Sequence, residues 1–200
     1  MLKFILTQVC PRQCSYCIVK NMPLHLPNYD IVNVAYRLKE LSETHREIMI
    51  TGGEPTMRHD YDLIVRIAKK YFDYVYITTQ NPSIFNSPAL PYIDAITYSL
   101  HDYPAAMTPY VRVYEPTGRI PPVYAAILAT QYDAKLAFRL KAFGYSGLTI
   151  NEEQRHGKRF VTFLPRLKDF SIRVNRKGKC MNDTILLPDL TIINSFKDYL

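Results

Sequence analysis

The chain has 200 residues, enough for one domain with a substantial hydrophobic core and short for two. Its 48% hydrophobic content excludes a disordered chain, and the short, interrupted apolar start at residues 2–9 excludes a signal peptide or a transmembrane helix there. The net charge of +7 comes from residues 155–179, where nine Lys or Arg oppose a single acid, Asp169. This segment is either a solvated basic face or a patch for a phosphate-bearing or acidic substrate.

Strand-like and helix-like segments alternate along the first half of the chain. An apolar strand is predicted over residues 2–9 and leads into a loop with three cysteines. Apolar residues at helical spacing predict helices over 29–42 and 60–71. Runs rich in β-branched and aromatic residues predict three further strands, at 47–51, 74–79 and 95–101.

The second half is less regular. A segment rich in proline and tyrosine, residues 103–124, predicts an irregular excursion, with a helix over about 122–131. Alternating apolar residues predict a fifth strand over 135–143. Thr149 and Glu152 have the spacing of a capping box, which predicts a helix from Thr149 to about Leu164. A sixth strand is predicted over 170–175, followed by a turn and a terminal hairpin.

This order of elements predicts an α/β fold with a parallel sheet and right-handed crossovers. Six units are too few to close an eight-stranded barrel, so we expect a partial (β/α)6 TIM-like barrel with a short C-terminal hairpin, or a flat sheet. One domain over residues 1–200 is expected, with its core in 2–175 and a C-terminal extension in 176–200. In either arrangement the chemistry lies at the carboxyl ends of the strands.

Three of the four cysteines follow the first strand as C-x3-C-x2-C: Cys10, Cys14 and Cys17. Four cysteines are too few for a disulfide scaffold, and the absence of a signal peptide predicts a cytoplasmic location with reduced thiols. Three thiolates suit an iron–sulfur cluster with one open iron. All four, with Cys180, would suit a structural zinc ion in a nucleic-acid-binding module.

The cysteine loop, with Tyr16 before its last cysteine, and the motif Gly52-Gly53-Glu54-Pro55 after the second strand together resemble the radical S-adenosylmethionine (SAM) superfamily. The resemblance implies a [4Fe–4S] cluster on Cys10, Cys14 and Cys17, whose open iron chelates the amine and carboxylate of SAM. An electron from a flavodoxin- or ferredoxin-type donor then cleaves SAM to a 5′-deoxyadenosyl radical, which abstracts hydrogen from a substrate. No second cysteine cluster is present in the sequence, so an auxiliary cluster is not expected.

The resemblance also implies which residues bind the cofactor. Glu54 would help to hold the ammonium group of SAM, and glycines at 52 and 53 would permit close approach of the backbone. The candidates for cofactor binding are Tyr16, Gly52, Gly53, Glu54, Pro55, Thr79, Ser99 and Arg139.

The polar faces of the predicted strands four to six would line the cavity, unless they are the exposed face of a half-solvated sheet. The substrate-binding candidates are therefore His101, Lys141, Arg173 and Asn175. Cys180 is a candidate hydrogen-atom donor, or an incidental turn residue.

These cations favour an anionic substrate, and a nucleotide, nucleobase or nucleic acid is expected. The alternative is an enzyme that modifies a peptide or protein, including the glycyl-radical activase type, because a short barrel leaves its side open.

Overall fold

The computed structural model describes residues 1–12, 14, 17, 19, 22, 27–100, 121–128, 134–151, 166–175 and 184–194. In this part of the chain, seven parallel strands lie side by side in chain order. They are β1 (Leu2–Ile5), β2 (Glu47–Thr51), β3 (Tyr74–Thr79), β4 (Ala95–Ser99), β5 (Val123–Leu128), β6 (Gly147–Asn151) and β7 (Ser171–Asn175).

The sheet continues beyond β1 with two short strands from the end of the chain. Strand β8 (Thr184–Leu186) pairs parallel to β1, and β9 (Ile192–Ile193) pairs antiparallel to β8. The α/β fold with a mostly parallel sheet and the terminal hairpin are therefore confirmed. The pairing of the hairpin with β1 is a further observation.

Helices cover one face of the sheet: α1 (Ile31–Ser42), α2 (Tyr61–Tyr71) and α3 (Ala134–Ala142). Helix α1 begins after Asp30, whose Oδ1 accepts hydrogen bonds from the main-chain N–H groups of Val32 and Asn33, both at 2.9 Å. Its apolar residues, such as Leu38, join alternate strand residues, such as Ile50, in one core. Each such fully buried side chain contributes about 1.5–3 kcal/mol to stability.

The opposite face of the sheet is only half buried, and we call it the open face. Its residues alternate with the core residues along each strand because successive side chains in a strand point to opposite sides. The strand register aligns them in neighbouring strands; they include Met49, Thr51, Tyr76, Thr78, Thr97, Ser99, Tyr124, Thr149 and Asn151. The alternation predicted for the fourth strand is confirmed.

The predictions for the second half are wrong at three places. Strand β5 replaces the helix predicted over 122–131. Helix α3 replaces the strand predicted over 135–143: Leu136, Ala137 and Leu140 are fully buried, whereas Phe138 is 54% exposed, which is a helical period. Strand β6 contains Thr149, which pairs with Ala126 and Arg173 and caps no helix.

These changes give seven consecutive parallel strands where six were predicted. The remainder of the helix predicted from Thr149 to about Leu164 lies outside the described residues, as do residues 101–120 and most of the basic segment 155–179. In the described part of the chain, none of the helices has the length and apolar character needed to span a bilayer.

Candidate active site

The loops that follow β1 and β2 are joined directly at the carboxyl edge of the sheet. The N–H of Gly53 donates to the carbonyl of Thr7 at 2.7 Å, and the N–H of Glu54 donates to the carbonyl of Val9 at 2.8 Å. Val9 immediately precedes Cys10. The glycine motif therefore holds the main chain that leads into the cysteine loop.

Both glycines of the motif are required by this close approach. Gly52 has a φ of 147°, and a Cβ there would lie 2.5 Å from the carbonyl oxygen of Thr7. A Cβ at Gly53 would lie 2.2 Å from the carbonyl oxygen of Val9. Real Cβ atoms are not found so close to backbone atoms, so any side chain at either position would push the two loops apart.

The side chain of Glu54 ties the ends of β2 and β3 together. Its carboxylate is 1% exposed, and Oε1 accepts hydrogen bonds from the Thr79 hydroxyl at 2.6 Å and the Thr56 hydroxyl at 2.7 Å. The main-chain N–H of Thr56 also donates to Oε1, at 3.2 Å, and that of Gln80 donates to Oε2 at 2.9 Å. The buried carboxylate is thus satisfied by four donors.

The three cysteines of the loop are half buried and carry free thiols. The N–H of Cys17 donates to the carbonyl of Cys14 at 3.2 Å, and the side-chain Nε2 of Gln80 donates to the sulfur of Cys10 at 3.3 Å. Burial raises the pKa of the Cys10 thiol, and the nearby charges of Cys17, Glu54 and Cys14 raise it further, against a main-chain hydrogen bond that lowers it.

The described part of the cysteine loop offers sulfur atoms as donors to a metal centre. Across the residues the structure describes, no three His, Cys, Asp or Glu side chains converge as the ligands of one metal ion would. Three thiolates that are soft donors, one of them hydrogen-bonded, are the ligand chemistry of an iron–sulfur cluster.

Arg58 contacts residues at both ends of the segment that contains the cysteines. The guanidinium is buried and forms two bonds with Asp60, from Nε to Oδ1 at 2.6 Å and from Nη2 to Oδ2 at 3.1 Å. It also donates to the carbonyl of Tyr29 at 2.5 Å and to that of Leu6 at 3.4 Å. Leu6 and Tyr29 lie on either side of residues 7–28, so Arg58 fixes both ends of the cysteine segment.

The ion pair with Arg58 changes the pKa of Asp60. Burial alone would raise the pKa of Asp60, but the hydrogen bonds and the positive charge of Arg58 lower it below its ordinary value overall.

A small apolar cluster supports the cysteine loop from the side of β8. It contains Ile5, Val19, Met22, Ile185 and Leu187, and Cys17 packs against it. The cysteine loop thus contacts three strands or the residues that follow them: β2 through the glycine motif, β3 through Gln80, and β8 through this cluster.

The region that contains these loops matches a known protein family. A family model described as the radical SAM superfamily matches residues 4–96, which contain the cysteine loop, the glycine motif and the end of β3. This region of the chain is similar to the radical SAM superfamily.

Two curated relatives match part of this chain. A protein named as a glycyl-radical enzyme activating enzyme in Methanocaldococcus jannaschii is 30% identical over 77 residues, which are 38% of this chain and 29% of the relative. The GTP 3′,8-cyclase of Chlorobaculum tepidum is 32% identical over 80 residues, which are 38% of this chain and 24% of the relative. The match therefore spans less than a third of each relative.

The solved structure of Streptococcus suis SuiB has a similar fold. It superposes with a TM-score of 0.67 at 11% identity, covering 96% of this chain and 59% of SuiB. The same protein has been solved with SAM and with its precursor peptide SuiA. At this level of identity the likeness shows a common fold alone.

The predicted cofactor-binding residues of the glycine motif, together with Thr79 and Ser99, lie at or just after the carboxyl ends of strands. Gly52 and Gly53 are partly exposed, Pro55 is buried and begins a short 3-10 turn, and Thr79 is buried against Glu54. Ser99 is half buried at the carboxyl end of β4. Tyr16, His101 and Cys180 lie outside the described residues.

The placement of Arg139 and Lys141 in a cavity rested on a fifth strand that is in fact helix α3. Both side chains are exposed on that helix, and Lys141 donates to the carbonyl of Lys168. Arg173 is exposed on β7, and Asn175 is the last residue of that strand.

Two groups of site residues were missed from the sequence. Gln80 and Arg58 act through partners far away in the chain, and no local pattern indicates such contacts. The open-face residues Tyr124 and Thr149 were missed because their strands were assigned as helix, although the apolar run from Val123 to Leu128 is compatible with a strand.

Proposed function

We propose that this chain is a radical SAM enzyme that binds a [4Fe–4S] cluster through Cys10, Cys14 and Cys17. The observation that carries the proposal is the direct junction of the cysteine loop and the glycine motif by two main-chain hydrogen bonds. Once bound, the cluster would supply the electron that cleaves the sulfur–carbon bond of SAM to a 5′-deoxyadenosyl radical. We further propose a single domain over residues 1–200 and a cytoplasmic location, since reduced thiols are needed.

The glycine motif is suited to bind the ammonium group of SAM through its main chain. Among the described residues, none donates a hydrogen bond to the carbonyl of Gly52 or Gly53, and both residues are partly exposed. The side chain of Glu54 accepts hydrogen bonds from Thr56, Thr79 and Gln80, which fixes the main chain that follows the two glycines. For the ribose of SAM we propose Ser99, at the end of β4.

For the substrate, we propose an anionic molecule of the nucleotide, nucleobase or nucleic-acid class. Tyr76 and Tyr124 lie in adjacent rows of the open face, where aromatic rings can stack on a base. Arg173 is exposed on the same face, where a cation can bind a phosphate. The cyclase among the relatives is named for a nucleotide substrate.

A peptide or protein substrate is the second candidate. It is favoured by the name of the M. jannaschii relative, an activating enzyme for a glycyl-radical protein. Such a substrate would approach along the half-exposed open face and would not need a base-stacking site.

Anaerobic reconstitution tests the cofactor part of the proposal. The protein should be brown, contain close to four iron and four sulfide per chain, and form 5′-deoxyadenosine from SAM with dithionite or a reduced flavodoxin. Cys14→Ala should lose the cluster and this activity, whereas the matched variant Cys180→Ala should keep the cluster. A colourless protein that carries zinc, or equal loss of iron in both variants, would refute the proposal.

Isotope transfer tests the substrate part. Deuterated nucleotides and deuterated peptides are incubated with the loaded enzyme, and deuterium in 5′-deoxyadenosine is measured by mass spectrometry. Transfer from a nucleotide supports the first class, and transfer from a peptide alone supports the second. Replacing Tyr124 with Ala should reduce transfer from a nucleotide more than the background formation of 5′-deoxyadenosine.

A further inference from the structure

Gln80, the residue that follows β3, contacts the thiol of Cys10. Its side-chain Nε2 donates to the Cys10 sulfur at 3.3 Å. Its main-chain N–H donates to Oε2 of the buried Glu54 at 2.9 Å, so the position from which the side chain starts is fixed by the backbone. A substitution of the side chain leaves that main-chain anchor in place.

The other side-chain polar atom of Gln80 has no hydrogen-bond partner. In the described part of the molecule, Oε1 is the buried side-chain atom left unpaired. A buried acceptor without a donor lowers the stability of the protein. With a cluster bound, turning the amide over would not help, because Oε1 would then face the Cys10 thiolate, another acceptor.

The unpaired Oε1 of Gln80 thus lowers the stability of the protein. The Nε2 of the same side chain contacts Cys10, a proposed cluster ligand. Such costs are characteristic of functional positions. Hydrogen bonds to the sulfur atoms of an iron–sulfur cluster are among the factors that set its reduction potential. Reduction adds negative charge to the sulfurs, so an N–H donor stabilises the reduced form more than the oxidised form.

Building on the proposed function, we propose that Gln80 is a positioning residue that raises the reduction potential of the cluster through the N–H···S bond to Cys10. One electron enters from an external reductant of the flavodoxin or ferredoxin class. No bond to Gln80 is made or broken, and no proton moves. Gln80 therefore makes the cluster easier to reduce without taking part in the cleavage of SAM.

The test uses the reconstituted full-length protein and three variants. Gln80→Leu removes the donor, and Gln80→Glu replaces it with a negative acceptor of the same length. Asn81→Ala is the matched control, because Asn81 is in the same loop but donates to the Thr56 hydroxyl, at 2.8 Å, and not to a thiol. Iron and sulfide are measured first, and the midpoint potential is then obtained from a redox titration followed by electron paramagnetic resonance without SAM.

We expect all three variants to take up the cluster. The midpoint potential should shift to more negative values in Gln80→Leu and further in Gln80→Glu, and stay near the wild-type value in Asn81→Ala. Urea unfolding of the apo protein should show Gln80→Leu to be as stable as the wild type or more stable, because an unpaired acceptor has been removed. A merely structural role predicts the opposite change in stability.

The outcomes separate this inference from the proposed function. Fully loaded Gln80 variants with unchanged potentials would overturn the role of Gln80 and leave the proposed function intact. Loss of iron from Gln80→Leu would also overturn it, since Gln80 would then be needed for binding the cluster. A wild-type protein that takes up no iron would refute the proposed function and this inference with it.

Discussion

Replacing Arg58 with Met is expected to destabilise the protein by about 3–5 kcal/mol, because it breaks a buried ion pair and leaves one partner without a counter-charge. The side chains of Arg58 and Asp60 are only 3% and 15% exposed. The substitution also removes the donor to the carbonyls of Leu6 and Tyr29. Typical domains have a total stability of about 5–15 kcal/mol, so this loss is a large share.

The assay is equilibrium urea unfolding of the apo protein with a matched surface control. Arg46 forms a 2.5 Å pair with Asp73, but their side chains are 84% and 47% exposed. Arg46→Met should therefore change the free energy of unfolding much less than Arg58→Met does. The double variant Arg58→Met with Asp60→Asn should recover part of the loss, since no charge is left unpaired.

Arg58→Met should also affect the cysteine segment more than the control variant Arg46→Met does. Because Arg58 holds both ends of residues 7–28, Arg58→Met should reduce the iron taken up under conditions where the protein is still folded. If Arg58→Met and Arg46→Met had equal unfolding free energies and equal iron contents, the argument for a buried clamp would be wrong.

Three further predictions follow from the described contacts. Gly53→Ala should prevent cluster uptake, because its Cβ would lie 2.2 Å from a main-chain oxygen of the cysteine loop; a wild-type iron content in this variant would contradict the close approach. Asp60 has a lowered pKa in the folded state, so its contribution to stability is present above its ordinary pKa of about 4 and is lost as the pH falls through the lowered value. The stability difference between the wild type and Asp60→Asn, from urea unfolding at several pH values, should thus be largest near pH 7 and shrink below about pH 4, and a constant difference would refute this. Leu136→Ala should cost about 2–5 kcal/mol, whereas Phe138→Ala should cost clearly less because Phe138 is 54% exposed; equal costs would favour the strand that was predicted for this segment.

The first half of the fold is predictable because its local patterns agree with one another. Strands β2 and β3 have the predicted bounds, Glu47–Thr51 and Tyr74–Thr79. Each has alternating burial and is followed by turn or helix signals, so local preference and tertiary packing favour the same structure.

The second half contains sequences that are compatible with two structures. In residues 134–142, Leu136 and Leu140 fit both a strand of period two and a helix, and the burial of Ala137 decides for the helix. The segment of β5 is rich in Ala and Leu, which favour helices in isolation, but pairing with β4 and β6 overrides that preference.

Some residues of the candidate site can be predicted from the sequence and others cannot. The cysteines and the glycine motif are visible in the sequence because short spacings encode them. The contact between Gln80 and Cys10 joins residues that are 70 positions apart, and the contacts of Arg58 with Leu6 and Tyr29 span 52 and 29 positions. Such contacts depend on the order of strands in the sheet and cannot be inferred from local patterns.

The position of β8 has a consequence for biosynthesis. Leu2, at the start of β1, pairs with Thr184, so the outer edge of β1 stays uncovered until β8, far later in the chain, has been synthesised. Until then, that edge offers unpaired main-chain groups to other nascent chains. Ile185 and Leu187 also complete the apolar support beside Cys17, so the support for the cysteine loop forms only once β8 and the residue that follows it have been synthesised.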